Sequence, residues 1–160
     1  MANTISNVLT GVCNVEVKYP IGGAYADAGY TINGVDFEYT ADEADIDVEE
    51  ETFSIDRVIT KEEITVTFTM AEASLVNLNW AMAGGVLAGD VVTLDAGAIK
   101  EFSLKLTGTD PGGGNRVITI LLCTSGGTVP VPFKKGEPSA FQATFKALKG
   151  AGDVCTIDDS

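Results

Sequence analysis

Residues 62–83 read EEITVTFTMAEASLVNLNWAMA, and their rhythm changes in the middle. Up to Met70 every second residue is large and apolar (Ile64, Val66, Phe68, Met70), with Thr65, Thr67 and Thr69 between them. Strand side chains leave on alternate faces, so this stretch is a strand with one face in a core and a hydroxyl face outside. After Met70 the period lengthens. Leu75, Leu78 and Met82 fall on one stripe, with Ala71 and Ala81 beside it. That spacing predicts a helix over 71–83 packing by one side. Glu72 sits in its first turn, where a carboxylate suits the helix dipole, and Gly84-Gly85 ends it.

Outward from there the period of two prevails. In residues 8–19, Leu9, Cys13, Val15, Val17 and Tyr19 lie on one side, and Asn14, Glu16 and Lys18 on the other. Pro20 stops that strand, and the glycine-rich residues 21–34 read as an irregular loop. Residues 35–39 and 44–49 predict two strands of a different kind. Asp36 and Glu38 alternate with Val35, Phe37 and Tyr39; Asp45, Asp47 and Glu49 alternate with Ala44, Ile46 and Val48. Each sets carboxylates on one face and apolar groups on the other. Glu50 and Glu51 carry the acidic character into a loop over 50–60.

The second half is also strand-like. Phe102, Leu104 and Leu106 point one way from residues 99–106, and Glu101, Ser103 and Lys105 the other. A turn at 110–115 leads to 116–123, apolar on both faces and therefore central. Gly126-Gly127, Pro130 and Pro132 mark a loop or an edge strand. Residues 139–147 alternate through Phe141, Ala143 and Phe145, and 150–160 supply a short last strand before an acidic end. The expected fold is mainly β with one flanking α-helix, a single domain over residues 1–160 without internal repeat or linker.

Charge and composition restrict function. The chain has 23 acidic and 10 basic residues, a formal net charge of −13. Nucleic-acid affinity comes largely from Lys and Arg contacts with phosphate, and the longest basic run is Lys134-Lys135. Neither nucleic acid nor an anionic membrane is an expected ligand. No apolar run approaches the roughly 20 residues that span a bilayer, and residues 1–7 do not resemble a secretory leader. There is no histidine, which removes the usual general acid or base near neutrality and the commonest metal ligand. The three cysteines, Cys13, Cys123 and Cys155, are odd in number and widely spaced; Cys13 and Cys123 lie in apolar runs as small core residues.

The remaining motifs are weak. An EF-hand counted from Asp45 needs glycine at its sixth position, where Glu50 stands. Carboxylate pairs of the glycosidase kind are too easily found in a chain this acidic. The glycines at 84–90 precede no Lys-Ser or Lys-Thr, and those at 112–114 join strands instead of opening a helix, so neither cradles phosphate. Serine and cysteine nucleophiles lack the histidine that usually activates them. Trp80 reads as a packing or interface residue. No enzyme activity, cofactor or metal is expected.

At 29–38 (GYTINGVDFE) and 55–85 (IDRVITKEEITVTFTMAEASLVNLNWAMAGG) the sequence resembles the bacteriophage tail tube, or major tail, proteins. The shared wording is a Gly-x-Thr-x-x-Gly-Val approach to an extended strand, then a strand running into Glu-x-[Ser/Thr]-Leu-x-x-Leu, here Glu72, Ser74, Leu75 and Leu78. About 40 residues carry it. The resemblance implies a β-sandwich or half-barrel whose copies form hexameric rings, with inner sheets joined into a continuous β-lined channel. It implies a virion protein, assembled in the host cytoplasm, with tape-measure, tail-tip and tail-terminator proteins as partners and DNA passing without specific binding. A conduit must not hold its cargo, and a ring multiplies a charge already at −13. Asp36, Glu38, Asp45, Asp47 and Glu49 are accordingly the candidate lumen-facing acids. The loops at 21–34 and 50–60, with both termini, are the candidate ring-to-ring contacts. The alternative is another virion or surface β-sandwich, a decoration or adhesion module that binds a partner without forming a tube.

Overall fold

The computed structural model describes residues 13–94, 97–109, 112–133, 135–136 and 139–159. Leu9 of the first predicted strand, the N-terminal contact segment and Lys134 lie outside the described residues. The described chain is mainly β with one short helix. Its strands are β1 (Asn14–Lys18), β2 (Tyr25–Asp27), β3 (Thr31–Ile46), β4 (Asp56–Met70), β5 (Gly85–Ala88), β6 (Val91–Leu94), β7 (Glu101–Thr109), β8 (Asn115–Gly126), β9 (Phe141–Ala147) and β10 (Cys155–Asp159). The helix, α1, is Leu75–Ala81.

The main sheet is antiparallel in the order β2-β1-β7-β8-β9-β4-β3, and β10 pairs with β8 as well. β9 and β10 share one edge of β8: β9 takes Cys123 to Gly126 and β10 takes Arg116 to Ile120. The order forces curvature. β2 and β3 lie at opposite ends of it, yet only residues 28–30 connect them. Six inter-strand steps across a flat sheet cover roughly 29 Å, whereas three extended residues reach about 10 Å. The ends must therefore approach each other. Ala28 N–H donates to Val15 O at 2.9 Å and Ala71 N–H to Tyr30 O at 2.8 Å, so the connection is bonded to β1 at one end and to the end of β4 at the other.

The core fills the inside of this curl with the inward-facing alternation read from the sequence. Val15, Val17, Val66, Phe68, Met70, Phe102, Leu104, Leu106, Phe141, Ala143 and Phe145 are all buried. Phe145 stacks on Phe68 at 5.7 Å and meets Phe102 edge-on at 5.4 Å, tying β4, β9 and β7 together. Cys123 is buried with them, its Sγ–H donating to Phe102 O at 3.4 Å. Burial pushes that thiol up to about 12.

Several expectations need correction. The helix starts later than predicted, because Ala71 is still bonded to Tyr30 and Ser74 is the N-cap, its Oγ accepting from Asn77 N–H at 3.2 Å. Glu72 precedes the cap, so no acid occupies the first turn. The buried side is Asn77, Asn79, Trp80 and Ala81; Leu75 is exposed. Asn77 Nδ2 donates to Ala28 O at 2.9 Å, a buried bond that draws this side of the helix onto the β2–β3 connection. The segment after the helix is a hairpin, β5–β6, turning through Gly89-Asp90 with Gly89 at φ 59°. Residues 21–34 hold β2 and the start of β3, and 56–60 of the supposed second loop belong to β4. The two acidic strands are one strand, β3.

Candidate functional site

β3 and β4 pair from Thr31 opposite Met70 to Ile46 opposite Asp56, with irregularities between Ile32 and Val35 and between Asp42 and Glu43. Only the root of this hairpin is clasped, where β9 pairs with β4 from Thr65 to Met70. Beyond it, residues 42–62 are all exposed. The hairpin is an arm about as long outside the body as within it.

The two faces of the arm exchange character halfway along. On β3 the odd residues Val35 and Phe37 pack against the core, followed by Tyr39 and Ala41; the even residues Asp36, Glu38, Thr40 and Asp42 face outward. No turn intervenes, so the alternation continues unbroken. It then places Glu43 and Asp45 on the side of the core face, and Ala44 and Ile46 on the opposite side. β4 follows by inserting Thr60, which lies between the pairs Asp42–Lys61 and Glu43–Ile59. Such a bulge shifts the strand by one residue and swaps its faces. Thr60 Oγ1 secures it by donating to Asp42 O at 3.1 Å. Val58 consequently lies opposite Ala44, and Arg57 opposite Asp45.

The distal arm thus has an ionic face, shared by Ile59 opposite Glu43, and a more apolar one that also carries Asp56 opposite Ile46. Arg57 Nε donates to Asp45 Oδ1 at 2.7 Å and its Nη1 to Glu43 Oε2 at 3.1 Å. The bond to Asp45, then the charges of Asp45 and Glu43, hold the guanidinium above its ordinary range. Exposed pairs of this kind add little stability; they fix which way the side chains point. The other face carries Ala44, Ile46 and Val58, and the tip beyond it adds Val48, Phe53 and Ile55, Phe53 being 87% exposed.

The five candidate acids are divided by this geometry. Asp36 and Glu38 share the outward face of β3–β4–β9 with Thr65, Thr67, Thr144 and Glu63. Lys146 Nζ bonds Glu63 at 3.1 Å and, with Lys61, holds that carboxyl below its usual range. Asp45 lies on the opposite face, paired with Arg57. Asp47 and Glu49 fall in the tip beyond β3, where Asp47 accepts from Ser54 Oγ. One strand therefore does not gather all five on one surface, because Glu38 and Asp45 are an odd number of residues apart.

Where the arm leaves the body it opens a cleft of about 480 Å³, floored by Ile64, Leu148 and Val154 and rimmed by Tyr39, Glu62 and Cys155. Tyr39 Oη donates to Glu62 Oε1 at 2.5 Å across the root of the arm, which pushes the phenol up. Among the described residues, no three acidic or cysteine side chains gather as a metal ion requires. None of the described helices is long and apolar enough to cross a membrane. No protein-family model and no curated protein matches the chain.

Proposed function

We propose that this chain is a structural virion protein, the subunit of a bacteriophage tail tube or related tail-like particle, polymerising as stacked rings into a conduit for DNA. The observation that carries the reading is the face exchange on the β3–β4 arm. Its apolar side, Ala44, Ile46 and Val58, lies on the face opposite to the core, so the body of the same chain does not cover it. A two-stranded ribbon alone is marginal in water, and contiguous exposed apolar surface marks a contact with another molecule. A copy of the same chain satisfies both needs, and a contact between two different patches propagates into rings or filaments. The resemblance at 29–38 and 55–85 selects the tail tube among such assemblies, with six copies per ring by that resemblance.

The outward face of the root suits a channel wall. Asp36 and Glu38 stand on it among short hydroxyl side chains, and the cations on the same face, Lys146 and Lys61, are paired with Glu63. At physiological salt, screening acts over about 8 Å, so a close acidic wall still repels DNA. The charge of −13 agrees with a surface that passes a polyanion without gripping it. Electron microscopy of the concentrated protein, alone and with a tail-tip nucleus, tests the proposal. Rods or six-fold rings support it; a strictly monomeric protein under both conditions overturns it. A decoration or adhesion module would instead bind its partner as single copies.

A further inference from the structure

Among the described residues, one charged side chain is buried without an opposite charge. Lys100 is 7% exposed, at the entry to β7, and its backbone N–H donates to Ala83 O at 3.3 Å. Its ammonium reaches back to α1, where Nζ donates to the main-chain oxygen of Asn79 and, at 2.9 Å, to Asn79 Oδ1. Asn79 is itself 5% exposed. Among the described residues no carboxylate pairs with this amine and the amide Nδ2 donates no hydrogen bond. The amide is held close from the other side as well. A Cβ on Gly85 would stand 3.0 Å from Asn79 Oδ1, a tight contact that would make the amide give way by a few tenths of an ångström.

We propose that Lys100 and Asn79 join in an intramolecular isopeptide bond as the folded chain matures, Nζ of the lysine replacing Nδ2 of the asparagine on Cγ. The neutral amine attacks Cγ, one bond beyond the oxygen it already touches, and forms a tetrahedral adduct. One Nζ proton passes to Nδ2, the Cγ–Nδ2 bond breaks, and ammonia leaves. Amine and amide become a secondary amide and ammonia, with no oxidant, reductant or cofactor. Burial supplies the nucleophile: it brings the Lys100 pKa down to about 8, so about one-tenth of the amine is neutral at pH 7 and about nine-tenths at pH 9. With no carboxylate among the described residues to relay the proton, the reaction is slow and follows the neutral fraction. The product clamps α1 to β7 around the β5–β6 hairpin, a covalent tie that needs no oxidising compartment. The bond forms within one chain and does not require that copies assemble into a tube.

The test is intact mass of the purified full chain, fresh and after incubation at pH 7 and pH 9, with a proteolytic digest. The expected result is a loss of about 17 Da, one ammonia, appearing about tenfold faster at pH 9. The digest must contain a branched peptide joining Asn79 to Lys100. An Asn-Gly pair such as Asn33-Gly34 loses the same mass by closing to a succinimide, so the branched peptide decides. Lys100→Met and Asn79→Ala should retain full mass at these sites. An unchanged mass in wild-type protein that circular dichroism shows folded at pH 9 overturns the proposal, as does a 17 Da loss whose digest contains no branched peptide joining Asn79 to Lys100. Should either variant fail to fold, the wild-type digest suffices: the branched peptide supports the bond, and its absence after incubation at pH 9 overturns it.

Discussion

Ala44 stands directly opposite Val58 on the β3–β4 arm, and both side chains leave the ribbon on the face that carries Asp36 and Glu38 nearer the body. In an isolated chain these apolar groups meet water, so changing them costs the monomer little. Ile46→Asp combined with Val58→Asp should shift stability by no more than about 0.5 kcal/mol per site, as exposed substitutions do. Assembly should be abolished at concentrations where the wild type polymerises. Thermal melting and sedimentation separate the two effects. A double variant that still forms tubes removes the arm from the interface.

The same pair shows what the sequence exposes and what it hides. Both acidic segments are evident as alternating strands from Val35-Asp36-Phe37-Glu38 and Ala44-Asp45-Ile46-Asp47. Between them stand Thr40 to Glu43, with no Gly or Pro to turn the chain. The apolar parity changes from odd to even there, and a parity change without a turn means one strand with exchanged faces. That signal lies in the sequence. The bulge at Thr60 does not, since β4 alone does not say where its partner skips a residue. The β5–β6 hairpin is also legible, in the two-residue Gly89-Asp90 link between apolar runs. The helix stripe is right in part: Ala81 is buried and Leu78 packs against the core, but Leu75 is exposed because Asn77, bonded to Ala28, turns the buried side away from it. The core strands, from Ile64 to Met70 and at Phe141, Ala143 and Phe145, are plain in the sequence because packing enforces their period.

Charge reversal on the root face addresses the channel. Asp36→Lys with Glu38→Lys places two cations among Thr65, Thr67 and Thr144 without touching the core face. Assembled tubes carrying both changes should retain DNA at low salt and release it as salt rises, the signature of phosphate contacts. Wild-type tubes should retain none. Equal, negligible retention in both places these acids away from the path of the DNA.

Phe145 is the aromatic that touches both Phe68 and Phe102, and it is 1% exposed. Phe145→Ala removes the contact shared by β4, β9 and β7, and a cavity remains. Denaturant unfolding should show a loss of about 3–5 kcal/mol, the usual cost of such a truncation. A loss under about 1 kcal/mol means that the curl of the sheet does not depend on this ring.

Cys123 offers a probe of the same core. Its thiol is buried and its pKa stands at about 12, so at pH 8 almost no thiolate exists to react. Cys13 and Cys155 are half-buried and raised by burial as well. A disulfide reagent should modify Cys123 only when the chain unfolds, with Cys13 and Cys155 reacting slowly before it. Peptide mapping after native labelling tests the order. Early modification of Cys123 contradicts a closed core at β8.

Lys100 makes stability depend on pH in an unusual direction. Its ordinary value is 10.5, and burial lowers it to about 8 in the folded chain. Between those values the unfolded chain holds a proton that the folded chain has released, so stability rises with pH across that window. Below about 8 both states are protonated and the penalty of burying the charge is constant. The measurement belongs on freshly prepared protein of undiminished mass, in which Lys100 still titrates. The melting temperature of Lys100→Met should exceed that of the wild type near pH 7, where the wild type buries a charge, and the gap should narrow toward pH 10. Other groups titrate equally in both proteins and cancel in the difference. A gap that stays constant from pH 7 to 10 means that the amine is not desolvated in the folded chain.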